Sequence, residues 1–182
     1  MNNAVLISIK PQRCALIEDG VKTYEVRKTK PKLKPPFTCY IYCTKSGRKN
    51  LLGTVYGTGS VIGEFTCDRI EEFKYSTVDG VDIDDETLGE TCVDWTDLNV
   101  YANGKTIYCW HISDFKRYDE PKPLSDFFHD EKCHSCKVSG YESSSCIYDN
   151  DCYVPKPIKR PPQSYCLVEK NYLTNNLYGG KL

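Results

Sequence analysis

Apolar and polar positions alternate along this chain in short runs, which predicts many strands and few helices. Val5-Leu6-Ile7-Ser8-Ile9 is apolar and β-branched enough for a first strand. Pro11 at an early helical position and Gly20 past the last turn predict a short helix with Ala15, Leu16 and Ile17 inward. Residues 23–27 read as a second strand. Its period of two puts Thr23, Glu25 and Arg27 on one face, Tyr24 and Val26 on the other. Prolines 31, 35 and 36 exclude regular structure before a third strand over 37–43. Strands are expected over 51–56, 61–73, 106–118 and 163–169, with a turn at 46–50 and another at Asn103-Gly104. The acidic stretch 79–90 reads as a loop leading to a weak helix over 91–99. The pattern suggests an α+β fold: a small β-barrel with one or two short helices packed against it.

Composition changes that picture in two places. Of 182 residues, 24 are Lys or Arg and 25 are Asp or Glu, a net charge of −1, ordinary for a globular domain. The charges are segregated, however. Residues 26–63 carry eight basic side chains and no acidic one, whereas 64–100 carry twelve acidic and two basic. A one-signed stretch attracts phosphates even in a neutral molecule, although a charge-balanced surface is the plainer alternative. No apolar run approaches the ~20 residues of a membrane helix. The first residues lack the basic and apolar regions of a secretory signal, so a cytoplasmic setting is expected.

The second place is cysteine, with eleven residues, an odd number. Without an export signal, reduced thiols or metal ligands are expected. Cys133-His134-Ser135-Cys136 is a C-x2-C knuckle, and Cys146 and Cys152 follow it. Four thiolates in a loop poor in apolar residues meet the count for a structural zinc site, with disulfides or plain thiols as the alternatives. His129 or His134 could replace one Cys. Cys39, Cys43, Cys67, Cys109 and Cys166 fall on apolar strand positions and read as small buried hydrophobes.

The stretch 20–28 carries the chemistry. Glu25 and Arg27 side by side on one strand face, with Lys22 at its mouth, are costly to bury unpaired. They pair with one another or line a polar cleft. Together with Ile7-Ser8-Ile9-Lys10-Pro11, the pattern Gly20-x-Lys22-x-x-Glu25-x-Arg27 resembles the opening of the ASCH domain, a relative of the PUA domains of RNA-modifying enzymes. Segments 61–67, 110–114 and 160–166 resemble ASCH proteins of phages and low-GC Gram-positive bacteria. The resemblance implies a PUA-like β-barrel as a single domain over 1–169. A cysteine- and proline-rich insert would occupy 120–160 within it, and a frayed tail 170–182.

It also implies a nucleic-acid-facing cleft in the cytoplasm of a bacterial or phage-infected cell. Lys22, Glu25, Arg27, Lys28, Lys45, Arg48 and Ser164 would bind RNA or a modified nucleoside there, with DNA possible. Some ASCH proteins are amidohydrolases acting on an acylated cytidine, which offers Lys22, Thr23, Glu25 and Glu90 as catalytic candidates. The family's Thr position is held here by Glu25. Others are linked to RNA cleavage, where His111 could serve as acid or base, although a lone strand His is more often packed. An interaction module is a third possibility. In the cleft reading, Glu25→Ala harms recognition or catalysis more than folding.

Overall fold

A computed structural model describes residues 3–45, 59–132 and 153–169. The first strand, β1 (Asn3–Ile9), runs parallel to β3 (Phe37–Cys43) and antiparallel to β12 (Tyr165–Glu169). Between β1 and β3 lie α1 (Pro11–Glu18), which Pro11 opens, and β2 (Tyr24–Arg27). The chain continues through β4 (Ser60–Cys67), β5 (Ile70–Phe73), a small hairpin of β6 (Tyr75–Ser76) and β7 (Gly80–Val81), α2 (Asp85–Thr91) and α3 (Trp95–Ala102). Next come β8 (Ile107–His111), β9 (Ser113–Lys122), and the ribbon of β10 (Phe128–Lys132) and β11 (Tyr153–Pro157).

Two sheets form the body. One has the order β12-β1-β3-β4-β9 and the other β2-β8-β5. The central strands of the larger sheet are buried on both faces, so the period of two divides their side chains between two cores. Val5, Ile7, Ile9, Cys39 and Ile41 join Cys14 and Ile17 of α1, Phe65 and Trp110. Ala4, Leu6, Tyr40 and Tyr42 join Phe127, Ile158 and Val168. Tyr24, Val26, Ile107 and Cys109 of the smaller sheet pack with Leu98 and Ala102 of α3. The face of β2 opposite Tyr24 and Val26, which carries Glu25 and Arg27, therefore looks away from α3.

The expected closed barrel is not what forms: among the described residues, no ladder joins the two sheets into a continuous ring. The strands expected over 61–73 and 106–118 are each two strands. Both break where the chain passes from one sheet to the other, at Asp68-Arg69 and at Ile112. The breaks lie against one another, since His111 N donates to Arg69 O at 3.0 Å. Asp114, just beyond the second break, takes the left-handed φ of 49°. The apolar pattern continues through Ile112 and leaves little trace of that break, whereas the charged, exposed pair Asp68-Arg69 interrupts the alternation at the first corner.

The acidic stretch also differs from expectation. Residues 85–91 are helical, and the single helix expected over 91–99 is a second helix starting at Trp95. Asp84 and Asp94 cap the two helices, each carboxylate accepting a backbone N–H (Thr87 and Thr96) at 2.8 Å. Cys92, left-handed at φ 52°, ends the first. The Asp-x-x-Thr and Asp-x-Thr spacings were the readable sign. No described helix is long and apolar enough to cross a membrane. Arg48 and the insert cysteines lie outside the described residues, as do the expected turn at 46–50, the strand over 51–56 and the tail 170–182.

Gly63 allows β9 to lie on β4: a Cβ there would press into Lys116 O and stand 3.2 Å from Arg117 Cα. Gly63→Ala is expected to cost about 1–3 kcal/mol in urea denaturation. An unchanged midpoint would mean the two strands are not this close.

Candidate functional site

The site is built from the end of α1 onward. Gly20, at φ 71°, turns the chain, and the backbone N–H groups of Val21 and Lys22 both donate to Leu16 O, at 3.0 and 2.9 Å. This delivers Lys22 to the mouth of β2. Thr23 N then donates to Glu90 O (3.1 Å), and Ile112 N donates to Thr23 O (2.8 Å). From there β2 pairs with β8, setting Glu25 opposite Trp110 and Arg27 opposite Tyr108.

Lys22, Glu25 and Arg27 form one buried ionic network. Their exposures are 2%, 8% and 7%, low enough that pairing is obligatory. Glu25 Oε2 lies 3.3 Å from Lys22 Nζ, and Oε1 lies 2.9 Å from Arg27 Nη2. Lys22 Nζ also donates to Tyr24 O and to Thr91 O, the latter at 2.7 Å. Arg27 Nη2 also donates to Ser8 O (2.6 Å), and Nη1 to Ser164 O (3.3 Å). The network thus ties β2 to α2, to β1 and to the approach to β12. It holds two cations and one carboxylate. Among the described residues, three buried polar atoms have no hydrogen-bond partner: Thr23 Oγ1, Arg27 Nε and Trp110 Nε1.

Of the candidates from sequence, Lys22, Thr23, Glu25, Arg27 and the backbone of Ser164 come together here. Glu90 arrives through its carbonyl, and its side chain is half-exposed. Lys28 is half-buried with Nζ 4.8 Å from the centre of the Tyr101 ring. Lys45 is exposed at the end of β3, its stem lying over Gly59. Trp110 packs in the core, with ring centres 5.9 Å from Phe37 and 5.3 Å from Tyr165. What sequence reasoning missed is its indole N–H, buried on the face that carries Glu25. Only the pairing of β2 with β8 reveals that.

On the opposite face of β2, the Tyr24 hydroxyl accepts from Arg69 Nη2 at 2.7 Å and donates to Glu71. Burial, and then the bond to Glu71, push the Tyr24 phenol up to about 12. His111 is half-buried, its ring edge on Tyr24 and Nδ1 donating to Asp68 Oδ1 at 2.7 Å.

Cys14, Cys39, Cys43, Cys67 and Cys109 are buried thiols, and Cys166 is half-buried. Burial pushes Cys67 and Cys109 up to about 12 and Cys166 to about 11, so none of these three is a thiolate nucleophile near neutrality. No group of three His, Cys, Asp or Glu side chains that could hold a metal occurs among the described residues.

Tyr165 Oη donates to Lys30 O at 2.9 Å, and Arg27 reaches Ser164 O. Lys30, Lys32, Lys34, Lys159 and Arg160 are all exposed. Lys30 has Glu72 at 3.6 Å. The other four have no ion pair within 4.0 Å among the described residues.

The fold matches solved structures. The ASCH protein of Zymomonas mobilis superimposes with a TM-score of 0.58 at 18% identity, over 96% of this chain and 93% of that one. A Tyr-to-Phe variant of that protein matches at 0.58 and 17%, over 96% of both chains. A Ser-to-Ala variant matches equally, at 0.58 and 17%, over 96% of this chain and 94% of that one. This chain has an ASCH fold. No family model matches it, and no curated protein does. On the ASCH fold, the Gly-x-Lys-x-x-Glu-x-Arg residues occupy the end of α1 and β2, with both cations turned to the central carboxylate.

Glu25→Ala leaves two buried cations without a counter-charge and is expected to cost about 3–5 kcal/mol in urea denaturation. A loss below ~1 kcal/mol would show a carboxylate open to water. Alkaline stability tests the phenols: burial pushes Tyr24 and Tyr40 to about 12, from an ordinary 10.0. The unfolded chain loses these protons first. The stabilisation is therefore full below pH ~10 and lost as pH rises toward ~12. Tyr24→Phe should flatten that decline in denaturation midpoints; an unaltered profile would place the Tyr24 phenol in water.

Proposed function

We propose that this protein binds RNA, recognising one of its nucleotides beside β2 and β8. The observation that carries this reading is the set of exposed basic side chains Lys32, Lys34, Lys159 and Arg160, which have no ion pair among the described residues, on a fold whose β2 holds a buried, net positive ionic network. Lysines and arginine without ion-pair partners hold phosphates and position a chain. Aromatic and polar groups behind them recognise what the chain presents. The ASCH fold and its kinship with the PUA domains of RNA-modifying enzymes support the same reading.

Binding is favoured over hydrolysis by the state of the catalytic candidates. Lys22 Nζ donates to two backbone carbonyls and pairs with Glu25, and both Glu25 oxygens are engaged by cations. Neither group is left to take a proton from a substrate without first breaking the network.

The test is a fluorescence titration with single-stranded RNA, single-stranded DNA and duplex at two salt concentrations. Lys22 and Arg27 are unsuitable targets, because their removal disturbs the fold. The variant is Lys32→Ala/Lys34→Ala/Arg160→Ala. It should weaken RNA binding at least tenfold and reduce the salt slope by about 2, as three lost contacts to a single strand require. If the wild type binds no polymer, or the variant binds as the wild type does, the reading fails. Preferential binding of DNA would change the ligand class.

A further inference from the structure

Two cysteines meet beneath the site without taking part in it. Cys14 of α1 and Cys43 at the end of β3 belong to one apolar core and are both buried. Three contacts bring them together. The Cys14 thiol donates to Ile9 O at 3.7 Å. Ile9 stands beside Cys43 in the parallel register of β1 and β3, and its carbonyl also accepts Thr44 N–H at 2.9 Å. The two thiols are hydrogen-bonded to each other. Sulfurs already in contact need only a small approach to reach the ~2.05 Å of a disulfide.

Other described cysteines are placed differently. Cys39 stands opposite Phe65 and Cys67 opposite Phe37, which makes the two thiols diagonal neighbours across β3 and β4. Such neighbours lie about 7–8 Å apart, at or past the span a disulfide bridges without backbone movement. Cys109 and Cys166 pack in the two other cores. The neighbouring Cys43 thiol, and then burial, push the Cys14 thiol well up from its ordinary range. The pair therefore reacts slowly, not as an exposed thiolate does.

We propose that Cys14 and Cys43 are a redox modification site, which a peroxide converts to a disulfide that fastens α1 to β3. The sulfur of one cysteine, giving up its proton, attacks a peroxide oxygen and breaks the O–O bond, leaving a sulfenic acid and one water. The sulfur of the second attacks the sulfenic sulfur. The S–S bond forms, and the hydroxide expelled takes the second thiol proton as water. Two electrons pass from the thiols to the peroxide, and two thiols and one hydrogen peroxide become one disulfide and two waters. The ring so closed runs from 14 to 43. It contains Leu16, whose carbonyl holds the N–H groups of Val21 and Lys22, the whole Lys22–Glu25–Arg27 network, and Lys30, Lys32 and Lys34. Closing it removes freedom from the unfolded chain, so the oxidised protein holds this part of the fold more firmly than the reduced one.

The full chain, fully reduced, is treated with hydrogen peroxide. Remaining thiols are then alkylated in denaturant, and the unreduced peptides are mapped by mass spectrometry. A peptide pair joined through Cys14 and Cys43, lighter by two hydrogens than the separate thiols, is the expected product. The urea midpoint of the oxidised protein should rise by about 1 M and return on treatment with dithiothreitol. Cys43→Ala and Cys14→Ala should each lose the linked peptide and the rise. The mapping uses the wild-type protein, so it decides even where a variant folds poorly. Recovery of Cys14 and Cys43 as alkylated thiols or as sulfinic acids, or a link from either to another cysteine in their place, overturns the proposal. So does a midpoint rise of the same size in Cys43→Ala, or an equal yield of the Cys14–Cys43 link from protein oxidised in denaturing urea, where the fold cannot select the pair. None of these readouts involves RNA.

Discussion

The Lys22–Glu25–Arg27 network is the constraint around which the other contacts of the motif are arranged. Charges this buried are tolerated when paired with an opposite charge and with hydrogen-bond acceptors. The partners come from four different parts of the chain: β1, α2, β2 itself and the residues before β12. The network therefore acts as a clamp with one geometry. An apolar core in its place would allow small slips between the sheets, because dispersion contacts are not directional. Two cations on one carboxylate leave an electrostatic excess, and this is also where the unpartnered donors lie.

The two corners of the fold make the clamp possible. At Asp68-Arg69 the chain leaves the larger sheet for the smaller one, and at Ile112 it returns to the larger, as a bend or bulge permits. β8 then lies between β2 and β5, with Trp110 opposite Glu25 and His111 opposite Tyr24. The two faces of β2 acquire different chemistry: a desolvated ionic network on one, and on the other a partly exposed group of Tyr24, Asp68, Arg69, Glu71 and His111. Sharing this fold with the Zymomonas mobilis ASCH protein at 18% identity shows how much sequence change the arrangement tolerates.

The segregation of charge has a structural side. Asp84 and Asp94 cap helices, Glu71 and Asp68 surround Arg69, Glu72 meets Lys30, and Glu64 accepts from Tyr118. Much of the acidic stretch is thereby used locally. Lys32, Lys34, Lys159 and Arg160 are left exposed and without ion pairs among the described residues. A chain of net charge −1 can in this way present a positive surface.

By itself the sequence determined what depends on neighbours along the chain. The bounds of β3, the start of α1 at Pro11 and the opposed faces of β2 follow from alternation, proline geometry and glycine turns, all local properties. The burial of most strand cysteines was legible for the same reason. Tertiary structure decided the rest. Lys22 meets Thr91 across 69 residues, and Arg27 meets Ser164 across 137. Whether Glu25 lines open water or neutralises two cations depends on those distant partners, as does the opposition of Trp110. The corner at 112 belongs to the same class, because sheet pairing selects where an apolar run bends. A one-dimensional pattern records which side chains share a face; which charges that face will meet is set by segments that only folding brings near.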